Sequence, residues 1–224
     1  MRRLMMALTL TVAALGATAT GFQLKTPTDW KWRTDTPASV TDAGGTLAAD
    51  QWYYVGMPPG WHITTKPGVL LYHPAHEGRG NFSVQSQIFL FPGDSQEEYG
   101  LFIGGSALEQ TSATPTYTAF VARRDGQAAI LKRTGATTTA LVDWKANTAV
   151  LPHPGGDDTA KNVLKVDVGA TEVVFSANDK EIARVPRADV VTDSALGFRV
   201  GKSLNLHVST LDVTYKLAPV PVKK

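Results

Sequence analysis

From Val69 to Tyr215 the chain is a succession of short segments in which apolar and polar residues alternate. The clearest is Phe82 to Phe91 (FSVQSQIFLF), where Phe82, Val84, Ile88 and Leu90 fall on one face and Ser83, Gln85 and Gln87 on the other. A period of two belongs to an extended strand with one face in a core and one in water. Further segments follow at intervals of about ten residues, separated by turn residues, which is the spacing of an all-β sandwich or barrel. The chain has no cysteine, so disulfides, a thiol nucleophile and thiolate metal sites are excluded and stability must come from the core.

The start has a different character. Met1-Arg2-Arg3 is basic, Leu4 to Leu15 is almost wholly apolar, and Ala17-Thr18-Ala19 is a small-x-small pattern. This succession predicts a secretory signal peptide over residues 1–19 and a secreted or periplasmic mature chain. Its apolar run is shorter than the ~20 residues a helix needs to cross a ~30 Å bilayer core, and no later segment is long enough, so no membrane span is expected in the mature chain. Lys plus Arg number 22 against 20 Asp plus Glu, and without Arg2 and Arg3 the two counts are equal. A near-neutral chain without basic clusters lacks the charge footprint of a nucleic-acid binder. About 200 remaining residues suit one domain with one core.

Residues 20–50 read as an extended, turn-rich lead-in with one short strand at Asp29 to Arg33 (DWKWR), where Trp30 and Trp32 share a face. Residues 51–217 read as the sandwich and 218–224 as a tail. Gly56-Met57-Pro58-Pro59-Gly60 breaks the ladder, and Trp61 to Thr64 and Val69 to His73 follow as strands, with Pro74 to Gly80 as a polar loop. Asp125-Gly126 is the pair that tolerates a two-residue hairpin turn between Tyr117–Arg123 and Ala128–Arg133. A second hairpin is expected across Gly169-Ala170, a turn at Asn178-Asp179, and one helical turn within Arg187 to Thr192. In Leu204 to Tyr215 the apolar phase slips by one residue near Ser209-Thr210, the mark of a β-bulge or of a strand passing from one sheet region to another.

Leu101 to Gly105 (LFIGG), Tyr117 to Gly126 (YTAFVARRDG), Asn162 to Val166 (NVLKV), Val173 to Asn178 (VVFSAN) and Gly197 to Val200 (GFRV) carry a resemblance. Together they resemble the concanavalin A-like lectin/glucanase jelly roll, and in particular its laminin G-like and 3-keto-disaccharide hydrolase-like branches. The resemblance covers about Trp52 to Tyr215 and implies two antiparallel sheets packed face to face, with a concave sheet that often forms a glycan groove.

Glycoside hydrolysis needs two carboxylates in distinct roles, and the glucanase relatives set theirs as E-x-D-x-x-E on one strand. Here Glu97-Glu98 sits at a turn and no strand face carries that spacing. No G-x-S-x-G elbow is present. His73-Pro74-Ala75-His76-Glu77 and the Asp157-Asp158 turn carry metal-ligand side chains, the second suited to a structural calcium, but both read as solvated polar loops and no cofactor is expected. Sugars offer apolar faces to aromatic rings and hydroxyls to fixed planar donors and acceptors. Trp61, His62, His73, Gln85, Gln87, Tyr99, Arg199 and His207 are the ligand-binding candidates on that ground. The expected role is non-catalytic binding of carbohydrate or cell-surface glycan. The alternatives are a sugar-active enzyme of the 3-keto-glycoside hydrolase kind and a laminin G-like protein-binding module.

Overall fold

The computed structural model describes residues 24–216, so the expected signal peptide and the 218–224 tail lie outside the described residues. Sixteen strands follow one another: β1 (Lys31–Thr34), β2 (Ser39–Thr41), β3 (Gln51–Gly56), β4 (Trp61–Thr65), β5 (Val69–Gly78), β6 (Asn81–Leu90), β7 (Tyr99–Ser106), β8 (Thr116–Ala122), β9 (Gln127–Thr134), β10 (Thr137–Ala146), β11 (Ala160–Val168), β12 (Glu172–Ala177), β13 (Lys180–Pro186), β14 (Ser194–Val200), β15 (Asn205–Val208) and β16 (Asp212–Lys216). They form two sheets. The seven-stranded sheet runs β1-β5-β14-β7-β8-β9-β10, and the nine-stranded sheet runs β13-β12-β11-β6-β15-β4-β3-β2 with β16 also on β6. All pairs are antiparallel except β2 with β3. The lead-in is part of both sheets, β1 pairing with β5 and β2 with β3.

The core lies between the sheets and is built by the alternation read above. Phe82, Val84, Ile88 and Leu90 of β6 meet Leu101 and Ile103 of β7 and Leu196, Phe198 and Val200 of β14 in one cluster. Aromatic rings bridge the layers: Phe120 meets Phe175 edge-on at 5.6 Å, and Trp30 packs against Trp61 at 4.7 Å and stacks on Phe198 at 5.9 Å. Such pairs each add roughly 0.5–1.5 kcal/mol to the burial itself.

Polar residues also stand on the inner faces, and Ser86 and Asn162 show how they are satisfied. Ser86, the one hydroxyl in the apolar phase of β6, is fully buried and donates to the Thr210 carbonyl at 2.6 Å. This contact holds the slip between β15 and β16, which lie end to end along β6. Asn162 of β11, also fully buried, donates to the Tyr99 hydroxyl at 3.1 Å and the Leu151 carbonyl at 2.9 Å, and accepts from Leu151 N at 2.8 Å. A buried amide with all its bonds made costs little, whereas one left unpaired costs about 1–3 kcal/mol.

Three local expectations are corrected. The connection after β8 is a three-residue loop, Arg124-Asp125-Gly126, because Arg123 N donates to Gln127 O and Gly126 N to Arg123 O, with Gly126 at φ +82°. That is a turn followed by a glycine bulge, and only glycine adopts such a φ without strain. The two-residue turn is instead Asn178-Asp179, both at positive φ, closing β12 onto β13. The third correction concerns Pro74 to Gly78, expected as loop: these residues continue β5, with Ser194 and Ala195 of β14 pairing to Gly78 and Glu77.

Candidate binding site on the seven-stranded sheet

The outer face of the seven-stranded sheet is set by the residues in the second phase of its strands. On β14, Phe198 and Val200 point into the core, so Arg199 points out, between Leu70 of β5 and Gly100 of β7. On β8, Phe120 and Ala122 point in, so Tyr117, Ala119 and Val121 point out, opposite Arg133, Leu131 and Ala129 of β9. These form the floor of a cavity of about 340 Å³, walled by Arg33, Thr34 and Asp35 from the end of β1, by Glu98 before β7, and by Pro115 and Thr138. Gly100 and Gly197 keep part of this face bare, since a Cβ at either would run into the backbone of the adjacent strand.

Arg199 organises the cavity and is 11% exposed. Its Nη1 and Nη2 donate to the two Asp35 oxygens at 2.7 and 2.8 Å, and its Nε and Nη2 donate to Glu98 Oε1 at 3.0 Å each. Burial alone would disfavour the charged guanidinium, but the hydrogen bonds and charge of Asp35, with Tyr117 and Glu98 beside it, raise its pKa above that of a free arginine. Burial is also the main reason the Tyr117 phenol is held above its ordinary pKa, with the Arg199 charge opposing. It is therefore a neutral donor or acceptor at physiological pH.

Two further guanidiniums line the cavity without a carboxylate. Arg133 donates from Nε to the Gly135 carbonyl at 2.6 Å and from Nη1 to Thr138 Oγ1 at 3.0 Å. Arg33 donates to the Glu109 carbonyl and, at 2.9 Å, to the Ser112 carbonyl. The loop it grips is fixed to β1 by the Gln110 amide, which accepts from Thr34 N at 2.9 Å and donates to Thr34 O at 3.1 Å, as a strand would.

Beyond Val121 the same face continues to Arg123, whose guanidinium lies over the Trp144 ring at 3.7 Å. Trp144 reaches there because β10 shifts register between Val142 and Lys145, so that two residues face the single Ala129. A bulge at an edge strand re-aims a side chain, and the small Ala129 leaves room for the half-buried indole.

The eight residues predicted from sequence do not share one surface. Arg199 lies in the cavity. Gln85, Gln87, His62 and His207 lie on the outer face of the nine-stranded sheet, so they share no groove with Arg199: Gln85 opposes Lys165 and Asp212, Gln87 opposes Val163, and His207 opposes His62. His207 Nε2 lies 3.1 Å from the Pro59 carbonyl, while the His62 ring packs beside Phe91 and is held below the usual histidine pKa, chiefly by burial. His73 sits near the β1 edge, hydrogen-bonded to Asp29 at 3.0 Å, its ring 5.2 Å from that of His76. Trp61 packs against the core, and Tyr99 is within it, 1% exposed, its hydroxyl pushed up to about pKa 12 by burial. Among the described residues no three histidines or carboxylates come together as a metal site. Tyr117, Arg133, Arg33, Asp35, Glu98 and Trp144 were not singled out as ligand-binding residues. The one usable sequence signal was the second phase of Tyr117 to Arg123, which alternates Tyr, Ala, Val and Arg against Thr, Phe and Ala.

No protein-family profile and no curated protein sequence matches this chain. Solved structures do match in shape. They include the carbohydrate binding module CBM66 from Bacillus subtilis, at 12% identity over 82% of this chain and 95% of that one, with a TM-score of 0.56. A Bacillus subtilis protein described as having a galectin-like fold matches at 14% identity over 83% and 89%, with a TM-score of 0.55. A family 16 endo-glucanase from Bacteroides ovatus matches at 8% identity over 82% and 94%, with a TM-score of 0.53. The chain therefore has the two-sheet, concanavalin A-like jelly-roll fold that its strand and turn residues resembled. Likeness at these identities carries fold and not chemistry.

Proposed function

We propose that this is an exported protein that binds carbohydrate on the outer face of its seven-stranded sheet and does not cleave it. The observation that carries the reading is the cavity of about 340 Å³, in which an apolar floor meets a neutral phenol, three guanidiniums and two carboxylates. Planar donors and acceptors held by their own hydrogen bonds, next to apolar surface, are what recognition of a polyhydroxylated ring requires. The absence of cleavage rests on the carboxylates. Asp35 and Glu98 both accept from Arg199, which leaves neither placed to hand a proton to a glycosidic oxygen while the other attacks. The name of the carbohydrate binding module and the endo-glucanase among the similar structures agree with a sugar ligand.

A glycan panel followed by calorimetry tests this, using the full mature chain and its Tyr117→Ala variant. Binding that weakens at least tenfold in the variant, with an unchanged melting temperature, supports the site. Equal binding by both proteins removes the cavity from the reading, and release of free sugar from any glycan overturns the non-catalytic part. Export is tested by intact mass, the expected product beginning after Ala19.

A further inference from the structure

Resting on that reading, we infer that the ligand is an anionic polysaccharide, with carboxylate or sulfate groups recurring along the chain, laid along the outer face from Arg33 and Arg133 to Arg123. Three observations carry this.

The first is unmatched charge. No acidic side chain lies within salt-bridge distance of Arg33, Arg123 or Arg133, whereas Arg199, on the same face, has two. The residues outside the described range contain no Asp or Glu that could supply one.

The second is that two of these cations are held in place. Arg33 and Arg133 donate to backbone carbonyls and a hydroxyl, which fix the side chains while leaving their charge intact. A guanidinium positioned in that way keeps its preference for a carboxylate or sulfate, and little ordering entropy remains to be lost when an anion arrives.

The third is extent. Arg133 pairs across from Tyr117, and Arg123 is six positions further along the same face of β8, about 20 Å at ~3.3 Å per residue. Cations that far apart are reached together by a polymer and not by one charged sugar. Beside Arg123 the Trp144 ring offers an aromatic surface, and the carboxylates of Asp94 and Glu97 in the depression beyond it end the path there for an anionic chain. Buried Nε of Arg123 makes no hydrogen bond, so this end of the face carries a polar atom without a partner.

The test uses polymers that differ in charge alone. Calorimetry of the mature chain is run against polygalacturonate and its methyl ester, which share a backbone, against sulfated and unsulfated dextran, and against a neutral mixed-linkage glucan. Binding of polygalacturonate or dextran sulfate that is lost in the uncharged counterpart, weakens as salt rises, and falls about tenfold in both R133Q and R123Q at unchanged melting temperature supports the inference. The pair that responds tells carboxylate from sulfate. Binding of neutral polymers only, or of charged and uncharged partners alike, overturns the anionic assignment and leaves carbohydrate binding standing. Loss in R133Q but not in R123Q restricts the ligand to the cavity and overturns the extended path. No binding by any polymer overturns both readings.

Discussion

The outer faces of the two sheets bury their ion pairs to different depths. On the nine-stranded sheet Arg184 lies between Glu172 and Glu181, 46% exposed, and Lys216 reaches Asp167. These pairs form in water, where the gain in attraction is offset by side-chain entropy and by screening, so they contribute little to stability. On the seven-stranded sheet Arg199 is 11% exposed beneath Asp35 and Glu98, while Arg33, Arg123 and Arg133 keep cations without acidic partners. One face holds its pairs at the water surface, among glutamines, histidines and the unpaired Lys161 and Lys165 of β11. The other gives Asp35 and Glu98 to a single buried guanidinium and leaves three further arginines without an acidic partner, so the burial of an ion pair here is set by position in the fold and not by composition.

The sharpest way to break this contrast is to remove the central cation from each face. Arg199→Met is expected to cost about 2–4 kcal/mol in urea unfolding, because it strands two carboxylates side by side, with Asp35 half exposed and so partly screened. Arg184→Met is expected to leave the urea midpoint close to that of the parent. Similar small losses in both variants would show that the Arg199 fork is no more structural than a surface pair. The hairpin turns give a second contrast. Gly126→Val on the seven-stranded side is expected to cost about 1–2 kcal/mol, since a β-branched residue resists φ +82°. Asp179→Gly on the nine-stranded side replaces a residue already at φ +64° and is expected to stay within about 0.5 kcal/mol.

Binding separates the faces next. Trp144→Ala is expected to weaken glycan binding about tenfold, a loss of roughly 1.4 kcal/mol. The double variant Gln85→Ala/Gln87→Ala is expected to bind as the parent does, and a loss there would move the site to the nine-stranded sheet. The smallest effect is on pH. Burial holds His62 below its ordinary pKa of 6.5, with an Asn205 hydrogen bond opposing and His207 adding to the effect. Between its folded and unfolded pKa values the unfolded chain binds more protons, so stability falls as pH drops through 6.5. His62→Gln is expected to flatten the decline in urea midpoint between pH 7 and pH 5, and an unchanged slope would assign that decline to other groups.

Much of the fold was legible because the inner faces obey one rule. Strands β6, β11 and β12 alternate cleanly, and the bulge between β15 and β16 showed as a phase slip with Ser86 as its partner across the sheet. Strand β10 was missed. Its TTTALVDWKA has no apolar phase because it is an edge strand with both faces largely in water and two register shifts. The continuation of β5 through Pro74 to Gly78 was missed because pairing with β14 overrides a polar local sequence. Of the cavity, only Arg199 was read as ligand-facing. Asp35 and Arg199 are 164 positions apart, and no local period encodes which distant strands become neighbours. Glu98 read as a turn residue for the same reason, since the guanidinium that gives it a role comes from β14.

The short segment from β1 to β2 closes the same side of both sheets, and it also supplies Arg33, Thr34 and Asp35 to the cavity. Docking of this strap and occupation of the cavity are therefore linked equilibria. A ligand that touches these side chains binds only the docked form, and by mass action it must hold the strap down by RT ln(1 + [L]/Kd). Edge strands open locally more often than central ones, so the backbone amides of Trp32 to Thr34 should exchange with solvent more slowly once ligand is added, while those of β11 and β12 keep their rates. The strap would then report occupancy from the cavity wall itself, as a latch whose tension is set by ligand concentration.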